Sequence, residues 1–225
     1  MREKNSSLET NLIACTVILL FALTMLAFDK VLPKSFQEIT GEVVTMVNVT
    51  APPPVNCNFT LYSGLNLVSF FCIPTSYPRD FVIINISNLE AIFEYQKGAS
   101  DLWKSYNPSL PSFVVQDLNF MSRTEGYWID MSADEDFFLE GGLRLPTSIT
   151  LMPGWNLPGY PTNEVKAVND SFSSLEGNYT EARAYNPITD VFISYVPGVG
   201  GAINQTEPYY GYWINTTIDE VWTVD

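Results

Sequence analysis

The chain repeats itself, and any fold it adopts must accommodate that. Gly64-Leu-Asn-Leu67 recurs as Gly154-Trp-Asn-Leu157, and Ser87-Asn-Leu-Glu90 as Ser173-Ser-Leu-Glu176. Trp103-Lys-Ser-Tyr-Asn-Pro108 recurs as Phe192-Ile-Ser-Tyr-Val-Pro197, and Gly126-Tyr-Trp-Ile129 as Gly211-Tyr-Trp-Ile214. The displacements are 90, 86, 89 and 85 residues with the order kept, which marks a tandem module. The expected modules span residues 57–145 and 146–225, preceded by a connecting stretch at 29–56. That stretch holds a candidate strand at Gly41–Thr50 and then three prolines, Pro52 to Pro54, which suit a stiff spacer and no regular element.

Local signals inside each copy are mostly β. Apolar runs flank Gly-x-Asn-Leu, a second strand carries the Trp/Phe-x-x-Tyr element, and Gly-Tyr-Trp-Ile opens another after a polar turn. The Ser-x-x-Glu pieces are the exception, since Ser can cap free amides while Glu reaches back, and Leu89, Ile92 and Phe93 would give a short apolar stripe. The predicted fold class is therefore mainly β: a transmembrane helix followed by two small antiparallel β modules of about six strands, each with a short helix.

These residues carry a resemblance. Pro153-Gly-Trp-Asn-Leu-Pro-Gly-Tyr-Pro161, Ser174-Leu-Glu-Gly-Asn-Tyr179, Ala184-Tyr-Asn186, Tyr195-Val-Pro-Gly198 and Glu207-Pro-Tyr-Tyr-Gly-Tyr-Trp-Ile214 resemble a repeat of secreted and surface-anchored proteins of archaea and bacteria. The first copy resembles it through Trp103–Pro108 and Glu125–Asp130, and departs where Leu65 stands in place of the usual Trp. The resemblance covers roughly residues 60–225 and implies an extracellular β module, with no assigned reaction.

Residues 12–28, LIACTVILLFALTMLAF, are 17 positions without a charge. A helix rising about 1.5 Å per residue needs roughly 17 to 25 such residues to cross a bilayer, more than the apolar core of a cleavable signal. Met25 spoils a cleavage site at Ala27, so the run is expected to be an uncleaved signal anchor, with a cleaved signal peptide and a pilin-like assembled helix as alternatives. Cys15 within it reads as a small apolar residue. Flanking charge leaves orientation balanced, with Arg2 and Lys4 before the run and Lys30 and Lys34 after it.

Sequons decide the side. Of 15 asparagines after residue 30, seven begin Asn-x-Ser/Thr: Asn48, Asn58, Asn85, Asn169, Asn178, Asn204 and Asn215. With 36 Ser and Thr in 225 residues, chance predicts about 2.4. The excess places residues 29–225 outside the cell and residues 1–11 in the cytoplasm, in a single-pass protein of the cell membrane; crowding of Asn, Ser and Thr into β turns is the competing explanation. Cys57 and Cys72 fit that compartment as a disulfide. A two-residue turn at Gly64-Leu65 would set them opposite one another in a hairpin, on a hydrogen-bonded pair that calls for a bulge or shifted register.

The chemistry open to the chain is narrow. It has no histidine, 11 Lys and Arg against 25 Asp and Glu, a formal charge of −14 and no basic cluster. Nucleic acid is excluded as a partner, and Ser-His or Cys-His catalysis has no base. The tryptophans invite sugar stacking, but Trp103, Tyr106, Tyr127, Trp128, Trp155, Tyr195, Tyr212 and Trp213 recur in or beside the repeat motifs and are read first as its core. Gly126 and Gly211 are read as positions of close backbone approach or positive φ. The acidic run from Asp130 to Asp136 could offer oxygens to Ca²⁺ but lacks EF-hand spacing, and is read as a solvated surface. Two modules on a short link are expected to sit as beads without a deep cleft.

The expectation is a membrane-anchored surface glycoprotein with a structural or adhesive role, no catalysis, no cofactor and no metal. Its partners would be membrane lipid through residues 12–28, other surface proteins or glycans, and copies of itself. The alternatives are a filament or envelope-layer subunit assembled through the N-terminal helix, and a surface carbohydrate-binding protein or glycosidase.

Overall fold

The computed structural model describes residues 54–225. The expected span at 12–28, the connecting stretch up to 53 and Asn48 lie outside the described residues. Among the described residues no helix is long and apolar enough to cross a membrane.

The protein is mainly β and every paired strand is antiparallel. The first half runs β1 (Pro54–Leu61), β2 (Gly64–Val68), β3 (Tyr77–Pro78), α1 (Arg79–Ile83), β4 (Leu89–Tyr95), β5 (Trp103–Tyr106), β6 (Phe120–Met121), β7 (Tyr127–Met131) and β8 (Glu135–Gly142). The second runs β9 (Thr147–Leu151), β10 (Gly154–Asn156), β11 (Lys166–Ala167), α2 (Val168–Ser171) and a 3₁₀ turn (Ser173–Leu175). It continues with β12 (Tyr179–Asn186), β13 (Val191–Val196), β14 (Gly200–Gly201), β15 (Gln205–Thr206), β16 (Trp213–Thr216) and β17 (Glu220–Val224).

The two halves share one strand order. The first builds the sheet β2-β7-β4-β5 with the ladders β1-β8 and β3-β6 beside it; the second builds β10-β16-β12-β13, extended by β14, with β9-β17 and β11-β15. The repeated motifs hold this arrangement. Gly64 and Gly154 take φ of 87° and 91°, where a Cβ would be strained. The Asn two residues on closes the turn. Asn66 accepts from the Tyr62 amide at 2.8 Å and donates to the Tyr62 carbonyl at 2.7 Å, and Asn156 does the same to Met152 at 2.9 and 2.8 Å. In Gly-Tyr-Trp-Ile the Tyr is buried and its hydroxyl accepts a backbone amide five residues upstream, Ser122 to Tyr127 at 2.6 Å and Glu207 to Tyr212 at 2.8 Å.

β7 alternates buried and half-buried residues along Tyr127–Met131, so the sheet has two occupied faces. Tyr127, Ile129 and Met131 join Leu61, Phe70, Ile92 and Phe137 in the core of the first half. Ile214, Tyr212, Tyr160, Phe172 and Trp222 form the counterpart in the second. The opposite faces meet in a third cluster, where Leu67, Leu157 and Tyr185 are buried with Tyr95, Trp128 and Trp213 against them.

The structure corrects three expectations. The hairpin across Gly64-Leu65 does not form, because β1 pairs with β8 and β2 with β7. Ser87–Glu90 does not start a helix. The Ser87 and Asn88 amides bond to the Glu135 carboxylate at 2.8 to 2.9 Å, and from Leu89 the chain continues as β4. Nor are the halves beads. At the end of β2, Gly211 N donates to Leu67 O (3.2 Å) and Ser69 N to Tyr209 O (2.7 Å); after β10, Gly126 N donates to Leu157 O and Gly159 N to Thr124 O, both at 2.9 Å. Each half thus sends the end of one strand to pair with the segment before Gly-Tyr-Trp-Ile of the other.

Candidate binding face at the junction of the halves

Reciprocal strand exchange sets up a reciprocal exchange of aromatics. Trp213 of the second half packs on Tyr95 and Trp103 of the first, with ring centroids 5.1 and 6.3 Å away. Trp128 of the first half packs on Tyr185 and Phe192 of the second at 5.0 and 5.9 Å. The register makes these triads equivalent, since Ile92 pairs with Ile129 and Tyr106 as Ala182 pairs with Ile214 and Tyr195. Gly126 and Gly211 allow the approach. A Cβ on Gly126 would lie 2.9 Å from the Leu157 side chain, and one on Gly211 3.1 Å from the Val68 carbonyl. Neither has positive φ, so close approach is the reason for glycine there.

The expected core residues divide by position. Tyr127, Tyr195 and Tyr212 are buried, and Tyr106, Trp128, Trp155 and Trp213 are half-buried. Trp103 is 42% exposed, because its strand β5 is the edge of the sheet and its ring overhangs the rim of the junction. Trp222, outside the motifs, is the tryptophan that is fully buried, with its indole N–H on the Ser171 carbonyl at 2.7 Å. The rim carries charge as well. The Arg183 guanidinium lies 4.7 Å from the Trp155 ring centre and is gripped by Glu181 at 2.7 and 2.9 Å. Trp103, Tyr95, Trp213, Trp155, Arg183 and Glu181 therefore form a continuous aromatic strip closed by one ion pair.

A second feature escaped the sequence reading. A cavity of about 330 Å³ is lined by Glu94, Lys104, Asp117, Thr124, Glu125 and Tyr127. Burial, and then the nearby Glu94 charge, push the Glu125 carboxyl up to about 7. Burial also raises Glu94, which is 3% exposed and accepts from Gln96 Nε2 at 2.5 Å. The pair comes from β4 and the turn before β7, which lie 31 residues apart in sequence, so no local motif announces it. Both carboxyls are thereby biased toward the protonated form.

Asp134 and Asp136 in the acidic run are exposed, and its carboxylates also accept hydrogen bonds. Asp134 accepts from the Ser63 amide at 2.7 Å, Glu135 from Ser87 and Asn88, and Asp136 from the Thr60 hydroxyl at 2.8 Å. These carboxylates fasten two separate segments, the end of β1 and the turn before β4, and among the described residues no group of three His, Cys, Asp or Glu converges as a metal site.

Cys57 and Cys72 are bonded, with Cα atoms 5.7 Å apart. They meet because the chain after β2 folds back beside the end of β8, where the Gly142 amide donates to the Cys72 carbonyl at 3.0 Å. Of the sequon asparagines, Asn58, Asn85, Asn169 and Asn204 are exposed, while Asn178 and Asn215 are half-buried.

Fold and face together define a disulfide-stapled, two-lobed antiparallel β protein whose lobes exchange strand ends and tryptophans. No family model matches the chain, and no curated protein or solved structure matches it.

Proposed function

We propose that the chain is a membrane-tethered surface glycoprotein in which residues 12–28 sit in lipid and residues 29–225 face outward, with a structural or adhesive role and no catalysis. The Cys57–Cys72 disulfide carries this reading, because such bonds persist in oxidising compartments outside the cytosol. The four exposed sequon asparagines and the resemblance of residues 60–225 to a surface-protein repeat support it too. Protease treatment of intact cells tests it. The outward reading requires loss of the body with a small membrane-retained remnant; full protection until lysis overturns it. Recovery as detergent-resistant polymers would favour the filament subunit instead.

A second reading has its own support. The half-exposed Trp155 and Trp213, the exposed Trp103 and the Arg183–Glu181 pair suit a saccharide, whose C–H faces stack on indole while its hydroxyls meet paired charges. On this reading adhesion acts through glycans. Titration with oligosaccharides should quench tryptophan fluorescence in the parent and not in Trp103→Ala; an unchanged response in the variant would discard the strip.

A further inference from the structure

The sequons of the second half lie in spatial pairs, and one pair is sealed by folding. Asn169 stands in α2 and Asn204 before β15, on chains joined by the Val168 amide donating to the Asn204 carbonyl at 3.1 Å. The hydroxyls that complete these two sequons belong to Ser171 and Thr206. Both are inside, at 6% and 0% exposure, and they hydrogen-bond to each other. Ser171 also meets the Tyr160 hydroxyl at 3.3 Å, in the core beneath Trp222. Asn169 is engaged from the other end as well, where Oδ1 accepts from the Tyr195 hydroxyl.

Asn85 is different. It lies in the turn between α1 and β4, it is exposed, and Ser87 two residues on is exposed too. Its neighbours Ile84 and Phe81 are 77% and 57% exposed, and Glu135, which holds the Ser87 amide, leaves Asn85 and Ser87 exposed.

Glycan transfer to asparagine forms a bond from Nδ2 to C1 of a saccharide as the C1–O bond to a lipid pyrophosphate breaks. The lipid pyrophosphate leaves and Nδ2 gives up one proton. The transferase must bind the hydroxyl two residues on while the amide reaches the donor, so both need to be free together. We propose that folding sorts the acceptors: Asn85 accepts glycan on the folded chain, whereas Asn169 and Asn204 accept it only before Ser171 and Thr206 close into the core.

This inference rests on the glycoprotein reading for its biological setting, but its test does not. Full-length chain is made by cell-free translation with membranes, an oligosaccharyltransferase and a lipid-linked donor. The transferase is present during synthesis in one arm and added after folding and disulfide formation in the other, and occupancy is read at each site by peptide mass spectrometry. Asn85 should be occupied in both arms. Asn169 and Asn204 should be occupied in the first and fall roughly tenfold or more in the second, since access then waits on local opening. Equal occupancy of Asn169 or Asn204 in both arms overturns the inference, as does refusal of Asn85 by the folded chain or of both sealed sites during synthesis. Native protein bearing no sugar would overturn the glycoprotein reading and leave the sorting intact.

Discussion

The two halves use one strand order and fill it with different chemistry. Where the first half has Cys57 and Cys72, the second has the buried Thr147 and Thr162 at the same 90-residue displacement. Phe70, Val82, Met121 and Phe137 make an apolar centre in the first, and the corresponding Tyr160, Ser171, Thr206 and Trp222 are joined by hydrogen bonds in the second. Conversely, the first half buries Glu94 and holds Glu125 near the cavity, where the second has Ala184 and Tyr210. The comparison teaches that this topology is specified by the turn-closing Asn, the loop-closing Tyr and the exchanged Trp. A covalent staple and a hydroxyl network are alternative ways of stabilising what those residues lay out.

The largest effect expected is from Trp222→Ala, about 4 kcal/mol from lost burial and cavity formation, with the Ser171 carbonyl also losing its donor. If the halves are one body through strand exchange, amide exchange in β1, β4 and β8 rises together with that in β12 and β16. Protection retained in the first half alone would separate them. Removing the staple by the double substitution of Cys57 and Cys72 to Ser should cost about 3 kcal/mol in a urea titration, as expected for closing a loop of about 15 residues. A midpoint unmoved by it would mean that the β1–β8 ladder alone pins the segment after β2.

Swapping chemistry between the halves should reveal the hydroxyl network. Thr206→Val removes one partner of Ser171, for about 1 kcal/mol. The reciprocal Met121→Thr should cost more, about 2 kcal/mol, by placing a hydroxyl among Phe70 and Val82. Equal losses would count against a specific network. The pH-dependent effect belongs to Glu125. Its carboxyl is raised from 4.5 to about 7, so the folded state binds more proton than the unfolded between those values, and stability falls as pH rises from 4.5 to about 7. Glu125→Gln should flatten that slope in thermal melts at several pH values; an unchanged slope would assign it to other groups.

Much of this was legible in the sequence, because the repeated motifs are local devices. Gly-x-Asn-Leu contains its own turn geometry and its own closing side chain, and Gly-Tyr-Trp-Ile contains a loop-closing Tyr. Failures came where a distant partner decides. Ser87–Glu90 satisfies the rules for a helix start, yet Glu135, 48 residues on, takes the amides first. Cys57 and Cys72 form their bond, though through a fold-back beside β8 and not the hairpin inferred for them. Trp103 recurs as Phe192, which marks it as a repeat position, but its place on an edge strand leaves it open. Glu94 and Glu125 carry no signal in their neighbours at all.

The central claim is that this body works outside the cell, stapled and glycosylated. Intact-mass measurement of the chain from native membranes, before and after deglycosylation and with thiol alkylation, tests it most directly. The account requires residues 1–28 retained, added saccharide mass, and Cys57 and Cys72 closed to alkylation until reduction. A polypeptide of unmodified mass with both thiols alkylated would contradict it.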